Sequence, residues 1–388
     1  MTKKRGFLFK LTLLSISLLL TSANAISMTI PMIQANFPDI SQTTIESLVT
    51  VPSFTMMIFV LLSGFISSKI GSKKTVMLGL LLSLVGGVFP LFTQNFTLIY
   101  LSRFIFGAGL GCYNSLAVSL INDFYEGDEK QALIGFQSAT QSLGSSFATF
   151  LAGILATVNW HYAFAVYLLA LPLLILFQFV VPETQGASQQ TKKTKQQINL
   201  PTFFYAAGLF ALLAMVMVVF TKVGSLVSEQ QMAHANFLGT ALSLMTLAGF
   251  ISGLVYGKFF QIFRQFTPVV GGVVATISFF LLSMATNIYA VTSYLVLIGF
   301  CLSLFIPYIF GALLGAAPKG SETLAVSVGM VGSNLGSFSS PYISSFFARI
   351  FGNTTASFAL GIAGAGFLML TVIFFVDILR KRKQVANN

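Results

Sequence analysis

The chain has 388 residues, of which 55% are hydrophobic and only 8% are Asp, Glu, Lys or Arg, against about 25% charged residues in a soluble domain. Twenty-one basic and ten acidic side chains cannot cover a water-facing surface for a chain this size, which excludes a soluble enzyme, a nucleic-acid binder and a disordered protein. The sequence predicts an all-α, polytopic membrane protein, in which the placement of the basic residues behind the net charge of +11 matters more than their sum.

In chain order, apolar runs long enough to cross about 30 Å of hydrocarbon as helix fall near 8–30, 44–67, 76–93, 98–120, 132–156 and 162–181, then near 203–221, 235–256, 267–285, 289–315, 324–347 and 355–377. These are twelve transmembrane helices in two sets of six. With the amino terminus inside, eighteen of the 21 basic residues lie on the cytoplasmic side, from Lys3, Lys4, Arg5 and Lys10 to Arg380, Lys381, Arg382 and Lys383. Lys222 and Arg349 fall outside and Arg103 falls within a span. The expectation is a multi-pass plasma-membrane protein with both termini cytoplasmic. The basic start, the Leu-rich run and Ala23, Asn24 and Ala25 also have the outline of a secretory signal; the paired six-span plan favours a first span.

The long polar stretch after Glu183 divides the chain. The expected organisation is an N-terminal six-helix bundle at 1–182, a cytoplasmic linker at 183–201, and a C-terminal six-helix bundle with a basic tail at 202–388. Cys112 and Cys301 have neither metal-ligand nor disulfide spacing and read as small buried apolar residues, and no metal or cofactor is expected.

Between spans two and three, Gly64, Lys69, Gly71, Lys73 and Lys74 resemble the loop signature of the major facilitator superfamily, with Ser68 where the family usually has Asp and Ser72 where it has a basic residue. Span four carries Arg103, Gly107, Gly109 and Gly111, similar to the family's arginine-plus-glycine signature. The turn Asn159, Trp160, His161, Tyr162 also resembles a common family sequence, with the aromatics suited to the outer interface. The second half repeats the plan with a worn loop signature around Gly253, Gly257 and Lys258.

The resemblance implies a secondary transporter working by alternating access of two bundles, with no enzymatic activity. It implies a gating network on the cytoplasmic side, in which Gly64 permits close helix approach, Gly71 a tight turn, and the lysines meet a carboxylate, best supplied by Asp123, or a helix end. Gly329, Gly332, Ser333, Asn334, Gly336 and Pro341 of span eleven suit the lining of a central cavity.

Intramembrane acids are scarce, so Glu46 is the proton-coupling candidate by elimination, with Arg103 as its candidate partner. A solvated helix-start acid is the other reading of Glu46, and snorkelling to the headgroups the other reading of Arg103. Asn24, Asn114, Gln137, Gln141 and Asn334, with Tyr256 and Tyr308, are candidates for a substrate cavity, to which Phe54, Met56 and Met57 would add apolar surface. Lacking fixed cationic groups there, the chain is expected to carry neutral or cationic amphiphiles rather than multiply charged anions.

Drug and metabolite proton antiporters of the family carry a glycine-proline signature in span five; here Gly144 and Gly153 remain but the proline is gone, so the antiport signature is eroded. Proton-coupled efflux is the main expectation, with proton- or sodium-coupled uptake of a small organic solute as the alternative. One chain contains both bundles, so the expected partners are the solute, the coupling ion and membrane lipids, in a monomer.

Overall fold

The computed structural model describes residues 6–183 and 197–387. The chain forms two compact units, Met1–Lys193 and Thr194–Asn388. Most of the expected linker, with Lys192, Lys193 and Lys195, lies outside the described residues, as do Lys3, Lys4 and Arg5. Every regular element among the described residues is helical, as hydrocarbon requires of a segment that must satisfy its own backbone polar groups.

The first unit opens with α1 (Phe7–Ser15), then 3₁₀ turns over Ile16–Leu19 and Ser22–Thr29, then α2 (Ile30–Asn36). The segments Phe7–Leu19 and Ser22–Asn36 are bent by 40°. It continues with α3 (Gln42–Ile70), α4 (Ser72–Val88), α5 (Phe96–Phe124), α6 (Gly127–Ala156) and a 3₁₀ segment Trp160–Leu169 that runs into α7 (Ala170–Val180). Gly71, at φ 92°, makes the turn between α3 and α4 that residues with a Cβ rarely adopt.

The glycines of α5 set the spacing. A Cβ on Gly107 would lie 2.3 Å from the Pro52 carbonyl oxygen and one on Gly111 2.7 Å from that of Met56, both on α3. One on Gly109 would lie 2.6 Å from the Gly79 oxygen of α4. Two faces of one helix are therefore in backbone contact with two neighbours, the close approach that small residues permit in membranes. Gly144 of α6 does the same against Leu18, whose carbonyl oxygen would be 2.3 Å from an added Cβ. Gly64 has open space around it, which corrects the expectation of close helix approach there: the seam lies earlier along α3, at Pro52 to Phe59.

The second unit contains α8 (Leu200–Glu229), α9 (Leu238–Phe263), α10 (Thr267–Ser283), α11 (Ile288–Ala316), α12 (Glu322–Phe351) and α13 (Ala356–Asn387). Its main helix pairs are α8 with α12, α9 with α11, and α10 with α13. Gly332 and Gly336 of α12 press on the carbonyls of Ala206 and Phe210, at 2.5 and 2.1 Å from an added Cβ. They form a seam with α8, in place of the cavity lining expected of them. α8 runs on past the expected end of its span, so that Lys222, expected outside, is an almost fully buried residue of the helix.

Eight helical stretches among the described residues are long and apolar enough to cross a membrane, nine if the bent first pair is one span. One of them, Leu238–Ser283, contains both α9 and α10. The 30-residue helices α6 and α12 are not among them, because Ser, Thr, Gln and Gly interrupt their apolar surface.

The seam makes a direct contrast. Gly107→Ala is expected to cost about 1–3 kcal/mol by forcing α3 and α5 apart, whereas Gly64→Ala should be neutral or stabilise by roughly 0.5–1 kcal/mol through helix propensity. Thermal unfolding of the two purified variants measures this, and equal midpoints would contradict the seam.

Candidate functional site

Arg103, two turns into α5, is fully buried. Its Nε donates to the Leu48 carbonyl at 3.0 Å, and its Nη2 donates to the Ala23 carbonyl at 3.1 Å and to the Tyr167 hydroxyl at 3.4 Å. Tyr167 in turn donates to the Ser22 carbonyl at 3.1 Å. The guanidinium carbon lies 4.6 Å from the centre of the Phe106 ring and 5.3 Å from that of Tyr167, within range of cation–π attraction. This geometry excludes snorkelling to the headgroups.

The acceptors arise from breaks in helical hydrogen bonding. Leu48 lies four residues before Pro52, which has no N–H, so the carbonyl that an uninterrupted α3 would satisfy internally is left available. Ala23 and Ser22 belong to the 3₁₀ part of the first span. A single side chain thus joins α3, the broken first span and the segment before α7. Pro52 was the available signal in the sequence, since a proline inside a span has an orphaned carbonyl four residues earlier.

Glu46 is in the second turn of α3, two residues before Leu48, and is fully buried. It is therefore no solvated helix-start acid. Ser47 beside it donates to the Tyr100 hydroxyl at 3.0 Å, a further link between α3 and α5.

Around the α3–α4 turn, Lys73 donates to the Gln178 carbonyl at 2.7 Å, in the last turn of α7. The lysine meets a helix end, where the dipole favours a cation. Lys69 lies 4.4 Å from the centre of the Phe65 ring, and Lys74 is exposed. Asp123 is exposed and has no hydrogen bond or ion pair among the described residues, so the structure does not bring it to the lysines. α4 is instead packed against α7, which places the first turn of α4 at the end of α7. A different ion pair, Lys10 with Glu129 at 2.5 Å, ties α1 to α6.

The cavity candidates are divided between the units. Asn24, Asn114 and Gln141 are half-buried in the first and Gln137 is buried there; Thr21 donates to the backbone carbonyl of Gln141 at 3.1 Å. In the second, Asn334 turns its amide back onto the Met330 carbonyl at 2.9 Å. Tyr256 stacks on Phe260 with ring centres 5.9 Å apart, and Tyr308 is half-buried in α11. Trp160, expected at an interface, is buried against Phe37 and Phe164.

Polar ties in the second unit were not legible beforehand. Both carboxylate oxygens of Glu229 accept from the Ala356 N–H, at 3.2 and 3.0 Å, capping the start of α13. Tyr205 of α8 donates to Asp377 of α13 at 2.7 Å, and Lys381 pairs with Asp377 at 3.2 Å. Tyrosines at helical spacing among apolar neighbours carry no sequence signal for a partner about 170 residues away.

Residues 12–231, more than half of the chain, match the profile of the Major Facilitator Superfamily. The chain belongs to this superfamily. Membership places it among transporters rather than enzymes. Quinolone resistance protein NorB of Staphylococcus aureus, in strains JH9 and Newman, is 24% identical over 169 residues, which cover 42% of this chain and 35% of those relatives. The aligned region spans about a third of the relatives' length. Among solved structures, a mutant of the peptide transporter POT in complex with alafosfalin has a TM-score of 0.76 at 13% identity, over 97% of this chain and 96% of that one. A POT mutant in complex with sulfate has a TM-score of 0.77 at 12% identity, over 98% and 96%. These likenesses establish the fold.

If Pro52 creates the acceptor that Arg103 fills, the two residues are energetically coupled. Arg103→Met should destabilise by several kcal/mol, since each orphaned buried acceptor costs about 1–3 kcal/mol. Pro52→Ala restores an N–H for Leu48, so the double variant should lose less than the sum of the single losses, by about 0.5–3 kcal/mol. Unfolding midpoints of the four proteins give the coupling, and strict additivity would separate the proline from the arginine.

Proposed function

We propose that the chain is a secondary active transporter with twelve spans in two six-helix bundles, moving a small organic solute by alternating access with proton coupling. The observation that carries this reading is the Arg103 junction. A permanent cation fixed to three elements of one unit bonds the carbonyl of Leu48, and two residues before Leu48 on the same helix stands a fully buried acid, Glu46. Protonating Glu46 would leave the positive charge of Arg103 less balanced and shift the preferred position of α3 against α5, which is how a proton can bias two states.

Uptake in the same direction as the proton is the preferred mode. α6 runs without a proline from Gly127 to Ala156, lacking the residue expected of the antiport signature, and the similar solved folds named above are peptide transporters. Efflux of neutral or cationic amphiphiles is the second reading, favoured by the relatives named for quinolone resistance. In either mode the solute contacts are proposed to come from Asn24, Asn114, Gln137, Gln141, Tyr256, Tyr308 and Asn334. Gating is proposed to run chiefly through Gly71 and Lys73, with Lys69 and Lys74 contributing when the helices move. The positive-inside pattern supports a plasma-membrane chain with cytoplasmic termini, acting as a monomer.

Two measurements test this. In proteoliposomes with an imposed proton gradient, Glu46→Gln should reduce gradient-driven solute flux by about 5- to 150-fold, the usual size of a coupling free energy; unchanged flux at equal protein abundance removes the proton role. A sodium gradient that drives flux in place of protons would reassign the coupling ion, and solute movement opposite to protons would establish efflux. Lys73→Met should alter the inward-to-outward population in a distance measurement while leaving the preference among solutes intact. An unchanged population would remove Lys73 from gating.

A further inference from the structure

The second unit contains a cavity of about 350 Å³ between α8, α12 and α13. Its volume lies at the lower end of the range of small-molecule sites. Small residues make room among the Phe and Met side chains of its wall: Ala214 on α8, and Ala359 and Ala363 on α13, among others. Nearly all of the remaining wall is hydrocarbon, aromatic ring or thioether.

Ser340 and Ser344, one turn apart on α12, also line it. Serines on a buried helix usually return their hydroxyl to the carbonyl four residues earlier. Ser333 does so to Gly329 at 2.9 Å, and Ser337 to Ser333 at 3.0 Å. Ser340 does not: its residue is 1% exposed and its hydroxyl oxygen is buried with no hydrogen-bond partner. An unmade hydrogen bond in apolar surroundings is costly, and the helix that returns the hydroxyls of Ser333 and Ser337 to its own backbone leaves that of Ser340 unpaired at the wall of a cavity.

We propose that this cavity is a binding site for a compact, neutral amphiphile, a hydrophobic body bearing one hydrogen-bonding group that pairs with the Ser340 hydroxyl. It lies within the second unit, apart from the Arg103 junction in the first, and does not depend on the direction or coupling of transport. An apolar wall with a single polar point selects against ions, which would have no counter-charge there. It also distinguishes between molecules of one shape by whether they can make that bond.

A matched pair of probes reads this directly: 1-naphthol and 1-methylnaphthalene, alike in size and differing in the hydroxyl. Equilibrium dialysis of the full chain in lipid nanodiscs, against empty nanodiscs, should show 1-naphthol binding about 2- to 10-fold more tightly than the hydrocarbon, the advantage of one hydrogen bond. Ser340→Ala should erase that difference while leaving 1-methylnaphthalene binding unchanged. The same substitution should hold or raise the unfolding midpoint of the empty protein, because it removes an unpaired buried group. Ala363→Leu, which fills the space, should abolish binding of both probes. Equal binding of the pair to the unaltered chain overturns the proposal and leaves a crevice for lipid chains. So does a preference that survives Ser340→Ala, and so does a fall in the unfolding midpoint on that substitution.

Discussion

A guanidinium held away from water must find acceptors inside the protein, and this requirement organises the first unit. Arg103 draws its acceptors from two places where helical hydrogen bonding is interrupted: the turn before Pro52 in α3 and the 3₁₀ stretch of the first span. Neither interruption would be comfortable alone in hydrocarbon, since a freed carbonyl there has no water to turn to. The charge and the interruptions therefore stabilise one another. The aromatic faces of Phe106 and Tyr167 close over the guanidinium, and the hydroxyl of Tyr167 passes the hydrogen bonding on to Ser22.

Such reach requires helices that come very near. Gly107 and Gly111 bring α5 onto α3, while Gly109 brings it onto α4. The second unit uses the same device between α12 and α8, at Gly332 and Gly336, and its polar ties described above join α8 to α13, through Glu229 at the start of α13 and through Tyr205 and Asp377. The first unit has its polar junction at Arg103, fully buried among helices that the glycines hold close.

The all-helical, multi-pass character was legible because hydropathy and helix length are tied by the thickness of hydrocarbon, though eight or nine stretches among the described residues meet that test where twelve were expected, and Arg103 was legible because it is a charge in an apolar run. The buried state of Glu46 was not, since an acid near a helix start has the same local sequence whether it faces water or protein. Lys222 was misplaced for a related reason: a basic residue after an apolar run looks like an end, yet α8 continues to Glu229. The expected role of Asp123 failed because a loop signature names residue types without saying which helix end lies opposite, and α7 occupies that place. Gly64 belonged to the signature, but the glycines that bring helices together follow the facing surface of α5.

The acceptors of the guanidinium in the first span are main-chain atoms, the carbonyls of Ala23 and, through Tyr167, Ser22. Main-chain atoms do not change when side chains do. Sequence drift at those two positions can therefore proceed so long as the local backbone keeps its shape, while position 103 cannot drift without emptying the junction. Related chains can accordingly diverge along the first span and still keep the same electrostatic centre, so the identity of that span is a poor guide to whether the centre has been inherited.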